Sequence, residues 1–134
     1  MKEKPFASLP VFLVDDDTSV LHASAAVLRS AGVTAIRMVD DSRELLPALE
    51  EQPASAVLLD LFMPHITGNK LLPDIVHLYP EVPVIVMTAA PDVETAVRSM
   101  KEGAFDYLVK PVEESRLIAS VRHALEVHSL RRQM

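Results

Sequence analysis

Residues 11–17 read VFLVDDD, a continuous apolar run that is followed at once by three aspartates. An apolar run without polar alternation is typical of a strand buried on both faces, and such strands belong to parallel sheets. Residues 56–59, 82–87 and 107–109 repeat the pattern, and residues 33–39 show it more weakly. The sequence therefore predicts five parallel strands.

Apolar residues at helical spacing fill the segments between these strands. Glycine just past a helix end supplies a left-handed cap, and serine favours the position before a helix begins. We therefore expect the first helix to end at Gly32 and Ser42 to cap the second. The third, fourth and fifth helices are expected over residues 67–78, 92–102 and 113–130.

The apolar stripe of each helix is expected to face the sheet. The stripes comprise Val20, Val27, Leu28 and Ala31 in the first helix, Leu45, Leu46 and Leu49 in the second, Val93, Val97 and Met100 in the fourth, and Leu117, Val121, Leu125 and Leu130 in the fifth. Strand and helix alternate five times, which predicts a doubly wound α/β fold, (βα)5, in three layers with helices on both faces of the sheet. In such folds ligands bind beyond the carboxyl ends of the strands.

Composition narrows the function. The chain has 134 residues, which fits one domain, and no cysteine, which excludes disulfides and thiolate chemistry. A net charge of -6 argues against direct nucleic-acid binding, because phosphate contacts need a basic surface. No apolar run approaches the ~20 residues that span a membrane, and residues 1–10 lack an apolar signal core. We expect a cytoplasmic protein without membrane contact.

Polar residues follow four of the five predicted strands. They are Asp15, Asp16 and Asp17 after the first, Asp60 after the third, Thr88 after the fourth and Lys110 after the fifth. Crowded carboxylates repel one another, and oxygen ligands without histidine or cysteine favour Mg²⁺ or Ca²⁺; a site that keeps several waters favours Mg²⁺. Such an ion beside an aspartate, a lysine and a hydroxyl group indicates phosphoryl transfer, with the aspartate as nucleophile.

Four blocks carry a resemblance to a known family. VFLVDDD (11–17), LLDLFMP (58–64), VIVMTAA (84–90) and GAFDYLVKP (103–111) resemble the signature blocks of response-regulator receiver domains in two-component signalling, which have a flavodoxin-like fold. The resemblance covers residues 11–130. The last block and the long final helix further resemble receivers of sigma-54-dependent, NtrC-type transcription activators.

The resemblance implies a role for each residue at the strand ends. Asp60 resembles the phosphorylated aspartate, and Asp16 resembles the direct Mg²⁺ ligand with Asp15 acting beside it. The backbone carbonyl of Phe62, together with Asp60, is expected to complete the protein's share of the metal shell.

Further residues resemble the switching parts of a receiver. Thr88 resembles the hydroxyl that binds the phosphoryl group, and Lys110 resembles the lysine that pairs with a phosphoryl oxygen. Pro111 is expected to follow a cis peptide bond. Tyr107 resembles the aromatic residue that turns inward on activation.

Two departures from the family pattern stand out. Many relatives have Gly-x-Asp-Gly after Met-Pro, whereas this chain has HITG at residues 65–68, so the loop and the cap of the third helix are expected to differ. Phe62 and Ala90 are apolar and correspond to positions that flank the path of hydrolytic water. Our hypothesis is that they slow loss of the phosphoryl group.

The implied function is signalling. Residues 10–130 are expected to form a receiver that accepts a phosphoryl group from a sensor histidine kinase and regulates transcription. Its only enzymatic activities would be Mg²⁺-dependent self-phosphorylation and autodephosphorylation.

Residues 1–9 are expected to be a flexible extension, and residues 131–134 the start of a linker to ATPase or DNA-binding output domains outside this chain. The surface of the fourth helix, fifth strand and fifth helix is expected to switch and to support a homodimer. Its expected members are Met100, Lys101, Asp106, Tyr107, Arg116 and Arg122.

Two alternatives fit parts of the pattern. Residues 15–18 fit the first four positions of the five-residue DxDxT motif of haloacid-dehalogenase-like phosphatases, which would use Asp15 and Asp17 but would leave Asp60 without a role. A receiver fold that no longer takes phosphate would be a pure interaction module. The chain has the complete set of Asp15, Asp16, Asp60, Thr88 and Lys110, which argues against this alternative, because mutually repelling carboxylates normally destabilise a fold.

Overall fold

The computed structural model describes residues 9–89 and 92–133. Within these residues five strands alternate with five helices, as predicted. In chain order they are β1 (Val11–Val14), α1 (Thr18–Ser30), β2 (Ile36–Val39), α2 (Leu45–Glu51), β3 (Ala56–Asp60), α3 (Gly68–Leu78), β4 (Val84–Thr88), α4 (Val93–Lys101), β5 (Asp106–Val109) and α5 (Glu114–Arg132). A short 3₁₀ turn, Ser42–Glu44, leads into α2. The predicted extension lies, except for Leu9, outside the described residues.

The strands form one parallel sheet in the order β2-β1-β3-β4-β5. This confirms the doubly wound (βα)5 fold. Strand β2 lies on one side of β1 and strand β3 on the other, so the strand order reverses between β1 and β3. Ligand sites of such sheets lie at this reversal. It places the residues that follow β1 beside the last residue of β3.

Successive residues of the buried strands point into two different core layers, which is why their apolar runs are continuous. One layer, under α2 and α3, contains Phe12, Val14, Val57, Leu59, Val84 and Val86. The other, under α1 and α5, contains Val11, Leu13, Ala56, Leu58, Ile85, Met87 and Leu108. Both layers are largely aliphatic and hold the strand ends rigidly.

The helix boundaries confirm some sequence signals and correct one. Gly32 follows α1 with a φ of 94°, the left-handed conformation that favours glycine. Asp17 precedes α1 and caps it. Ser42 does not cap the second helix: Asp41 accepts a hydrogen bond from Arg43 N at the start of the 3₁₀ turn, and Ser42 is buried. Local preference could not separate two adjacent residues that both favour caps.

The inward faces of the helices differ from several predictions. In α1 the buried residues are Leu21, Ala25 and Leu28, so the stripe is rotated from the predicted one; Val20, Val27 and Ala31 are half-buried. In α5 Leu117 and Val121 are buried as predicted, Leu125 is half-buried, and Leu130, predicted on the same face, is exposed.

Helix α4 reverses the prediction. Val93, Val97 and Met100 are exposed by 76%, 46% and 47%, whereas Ser99 is buried. The periodicity indicated correctly that the three apolar residues share a face, but that face points away from the sheet.

Candidate functional site

Three carboxylates meet at the reversal of strand order. Asp15 and Asp16 follow β1 directly, and Asp60 is the last residue of β3. Each offers an oxygen atom, and these atoms all lie within 4.8 Å of one another. Asp15 and Asp60 are buried, whereas Asp16 is exposed. The site is therefore a buried acidic pair with one carboxylate open to solvent.

Lys110 brings a positive charge to this pair from the end of β5. Its Nζ lies 2.6 Å from Asp15 Oδ2 and 3.5 Å from Asp60 Oδ2. Its backbone N–H donates to the carbonyl oxygen of Thr88 at 2.8 Å, which ties the ends of β4 and β5 together. The Lys110–Pro111 peptide bond is cis, as predicted.

Thr88 is the last residue of β4 and is fully buried. Tyr107 lies in β5 opposite Val86 and packs, half-buried, against the core layer under α2 and α3. The structure thus brings Asp15, Asp16, Asp60 and Lys110 into one cluster and places Thr88 at the end of the strand beside Asp60.

The electrostatics of the cluster are unbalanced. Burial, followed by repulsion from Asp15, raises the pKa of Asp60 from 3.8 to about 6, although Lys110 and the Phe62 N–H oppose the rise. Burial favours the neutral amine of Lys110, but its bonds to Asp15 and Asp60 outweigh burial and raise its pKa. One ammonium therefore does not compensate the carboxylates around it.

The donor set fits a hard divalent cation. The three ligand groups are carboxylates, without histidine or cysteine, and two of them are held on adjacent strands. An added cation would relieve the repulsion that raises the pKa of Asp60. These are three of the four predicted metal-binding groups; the carbonyl of Phe62 stays a prediction.

Asp17 is engaged elsewhere. Its Oδ1 accepts hydrogen bonds from Ser19 N at 2.9 Å and from Ser19 Oγ at 2.6 Å. Its own N–H donates to Asp15 Oδ1 at 3.0 Å. The carboxylate of Asp17 thus caps α1, while that of Asp15 faces the site.

Two residues contact the loop from β3 to α3, and the sequence did not reveal their importance: Gly68 at the start of α3 and Ser42 in the 3₁₀ turn before α2. A Cβ added to Gly68 would contact the carbonyl oxygen of Asp60, and it would come within 2.6 Å of Leu61 Cα. Ser42 Oγ donates to Pro64 O at 2.8 Å and accepts from Ile66 N at 3.0 Å. The departure from Gly-x-Asp-Gly was a usable signal for this loop, because it showed that the usual turn residues are missing.

Comparison with known proteins decides the family. The family model described as "Response regulator receiver domain" matches residues 11–122. The chain belongs to the response regulator receiver domain family. It is 37% identical over 124 residues to the transcriptional regulatory protein ZraR of Escherichia coli, covering 92% of this chain and 28% of that protein. It is 37% identical over 115 residues to the DNA-binding transcriptional regulator NtrC of Salmonella typhimurium, covering 86% of this chain and 24% of that protein.

The fold agrees with a solved receiver. The crystal structure of the receiver domain of NtrX from Brucella abortus superposes with a TM-score of 0.80 at 30% identity, over 87% of this chain and 98% of that one. This receiver domain spans about a quarter of the length of the curated relatives it matches. No helix in the described part of the chain is long and apolar enough to cross a membrane.

Proposed function

We propose that this receiver domain accepts a phosphoryl group from a sensor histidine kinase onto Asp60. One observation carries the proposal: the buried carboxylate at the end of β3 shares a site with Asp15 and Asp16 and lies 3.5 Å from the ammonium of Lys110. A nucleophilic carboxylate beside one fixed ammonium and two further carboxylates that could hold a divalent cation suits phosphoryl transfer, because the two cations would neutralise the charge of the incoming group.

In the transfer step a carboxylate oxygen of Asp60 attacks the phosphorus atom of a phosphohistidine. The new O–P bond forms as the P–N bond breaks, and the histidine nitrogen keeps the electron pair and takes a proton. The rigid end of β3 holds the nucleophile in place, so much of the catalysis comes from positioning.

Asp15, Asp16 and Asp60, with the carbonyl of Phe62, would hold Mg²⁺. When bound, it would neutralise carboxylate charge and polarise the phosphoryl oxygens. Mg²⁺ is favoured over Ca²⁺ because few protein ligands are offered and Asp16 is open to water.

Lys110 and Thr88 would read the new group. The ammonium of Lys110 already lies within ion-pair distance of Asp60 and would pair with a phosphoryl oxygen. Thr88 lies on the strand next to β3 and would donate its hydroxyl hydrogen. These bonds would shift a two-state equilibrium in α4, β5 and α5, with Tyr107 turning inward.

The surface of α4, β5 and α5 is proposed as the output face and as a homodimer contact. Met100 and Lys101 are exposed on α4. Arg116 of α5 binds both carboxylate oxygens of Asp106 in β5, at 2.9 and 3.0 Å, which couples the strand to the helix. Arg122, expected on this face, instead donates to Ala31 O and therefore lies on the side of α5 toward α1.

The phosphatase alternative loses support from the site. It requires Asp17 as an active acid, but this carboxylate is exposed and caps α1. It also gives no role to Asp60, which is buried beside Lys110. A self-phosphorylating signalling domain, without turnover of small phosphoesters, explains both residues.

Phe62 bears on the lifetime of the phosphoryl group. Its side chain is 52% exposed beside Asp60, and we propose that its bulk keeps hydrolytic water away. Phe62→Asn is expected to speed dephosphorylation several-fold, measured as loss of the acyl phosphate after donor removal; an unchanged rate would contradict this. The other residue of this hypothesis, Ala90, lies outside the described residues.

The direct experiment is incubation with Mg²⁺ and acetyl phosphate, read by intact mass. We expect a gain of one phosphoryl group that requires Mg²⁺ and is lost in Asp60→Asn. A wild-type chain that gains no phosphoryl group from acetyl phosphate or from any kinase would contradict the proposal and favour a pure interaction module.

The larger context is also proposed. Receiver residues 10–130 would connect, through residues 131–134, to a sigma-54-type ATPase and DNA-binding output in a cytoplasmic transcription regulator. Similarity to NtrC and ZraR supports this, since those proteins are about four times longer than the match.

A further inference from the structure

The loop between β3 and α3, residues 61–67, lacks a glycine at its left-handed position and a side-chain cap for the helix that follows. His65 adopts a φ of 73°, the left-handed region that favours glycine. Thr67 stands before α3 without a side-chain capping bond to the helix. The loop therefore contains one strained residue and one uncapped helix start.

Contacts at its two ends fix only part of this loop. Phe62 N donates to Asp60 Oδ1 at 3.2 Å, and Gly68 N donates to Leu61 O at 2.9 Å. The side chain of Met63 is buried in the core. These contacts leave the polar backbone of residues 64–66, around the strained His65, to be held by something else.

Ser42 supplies that contact from a different part of the chain. Its hydroxyl group donates to Pro64 O at 2.8 Å and accepts from Ile66 N at 3.0 Å, so it bridges both sides of His65. Ser42 is 2% exposed, and hydrogen bonds in such a dry position are strong and geometrically specific. The bridge lies two residues beyond Phe62.

We propose that Ser42 is a positioning residue that holds the 61–67 loop in the shape in which the Phe62 carbonyl binds Mg²⁺. This inference rests on the proposed function, because it takes the Phe62 carbonyl as a metal ligand. Ser42 touches neither the metal nor the phosphoryl group; it acts through the backbone at Pro64 and Ile66. Groups that orient metal ligands in this way typically change metal affinity when removed.

Ser55 provides a matched control. It is also 2% exposed, and its hydroxyl group donates to a backbone carbonyl, that of Leu9, at 3.1 Å. It lies just before β3 begins, at the opposite end of the strand from Asp60. Ser55→Ala therefore removes a comparable buried bond far from the site.

The experiment is calorimetric titration of the full chain with Mg²⁺ alone, combined with thermal unfolding and hydrogen exchange of the Ile66 amide. Ser42→Ala should weaken Mg²⁺ binding about tenfold and expose the Ile66 amide to exchange. Ser42→Thr, which keeps the hydroxyl group, should bind Mg²⁺ like the wild type. Ser55→Ala should lower the melting temperature without changing Mg²⁺ affinity.

The outcomes separate the two proposals. Wild-type Mg²⁺ affinity in Ser42→Ala, or an equal loss in Ser55→Ala, would overturn the role of Ser42 while leaving Asp60 as the phosphoacceptor. A wild-type chain that bound no Mg²⁺ would overturn the proposed function and this inference with it.

Discussion

The acidic cluster and helix α4 are built in opposite ways. Asp15 and Asp60 lie buried at the ends of adjacent central strands, where core layers on both faces hold the backbone. In α4 the exposed residues include Val93, Val97 and Met100. The buried hydroxyl group of Ser99 finds no hydrogen-bond partner in the described part of the chain.

This difference in packing suits the acidic cluster and helix α4 to different functions. A reactive carboxylate must be held within a fraction of an ångström, which rigid strands achieve. A helix with apolar residues outside and an unsatisfied hydroxyl group inside is weakly held, and movable elements come from such low-stability regions. Substitutions near the acidic cluster and in α4 test this difference.

The largest effect is expected for Gly68→Ala, next to the rigid region. The added Cβ would overlap the backbone at Asp60 and Leu61, which the sheet prevents from moving. We expect a loss of about 3 kcal/mol in the free energy of unfolding, measured by urea denaturation, together with slower phosphorylation.

Gly32→Ala is the control for this substitution. Gly32 has a φ of 94°, but apart from its two chain neighbours no described residue lies within 4 Å of an added Cβ. It should lose about 1 kcal/mol from backbone strain alone and keep its phosphorylation rate. Equal losses in the two variants would show that the backbone near Asp60 can yield.

The second-largest effect is expected for Asp60→Asn, which should stabilise the protein. Because the pKa of Asp60 is raised to about 6 in the fold, the folded state holds a proton more tightly than the unfolded chain. The wild type therefore loses stability as pH rises from about 4 to about 6. Without Mg²⁺, Asp60→Asn should be on the order of 2 kcal/mol more stable at pH 7, and the difference should disappear below about pH 4.

Asp40→Asn serves as the comparison in the same urea titrations. Asp40 follows β2 but is exposed, so the stability of this variant at pH 7 should be close to that of the wild type. If Asp60→Asn were no more stable than the wild type at pH 7, repulsion within the acidic cluster would not destabilise the fold.

The smaller effect belongs to α4. Ser99→Ala removes the unsatisfied buried hydroxyl group and should raise the free energy of unfolding by about 1 kcal/mol. Ser24→Ala, in the middle of α1, measures the gain from helix propensity alone, about 0.5 kcal/mol. A loss of stability in Ser99→Ala would mean that α4 is better packed than its exposed apolar residues indicate.

The sequence predicted the rigid region well for a physical reason. Continuous apolar runs identify strands buried on both faces, and parallel strands bring their carboxyl ends to one edge, so Asp15, Asp60 and Lys110 could be grouped without coordinates. The helix ending before Gly32 followed from an equally local rule.

The same reasoning failed where the outcome depended on distant contacts. Periodicity shows that Val93, Val97 and Met100 share a face, but it cannot show whether that face meets the sheet. Ser42 was interpreted as a helix cap because local preference cannot reveal bonds to Pro64 and Ile66, more than twenty residues away. Both errors concern residues whose environment is set by contacts between distant parts of the chain.

The most direct test of the account is to locate the phosphoryl group itself. The protein is phosphorylated with acetyl phosphate and Mg²⁺ and treated with borohydride, which reduces an aspartyl phosphate to homoserine, and its peptides are then sequenced by mass spectrometry. We expect homoserine at position 60 and unchanged aspartates at positions 15 and 17. Homoserine at position 15 or 17, with Asp60 intact, would contradict it.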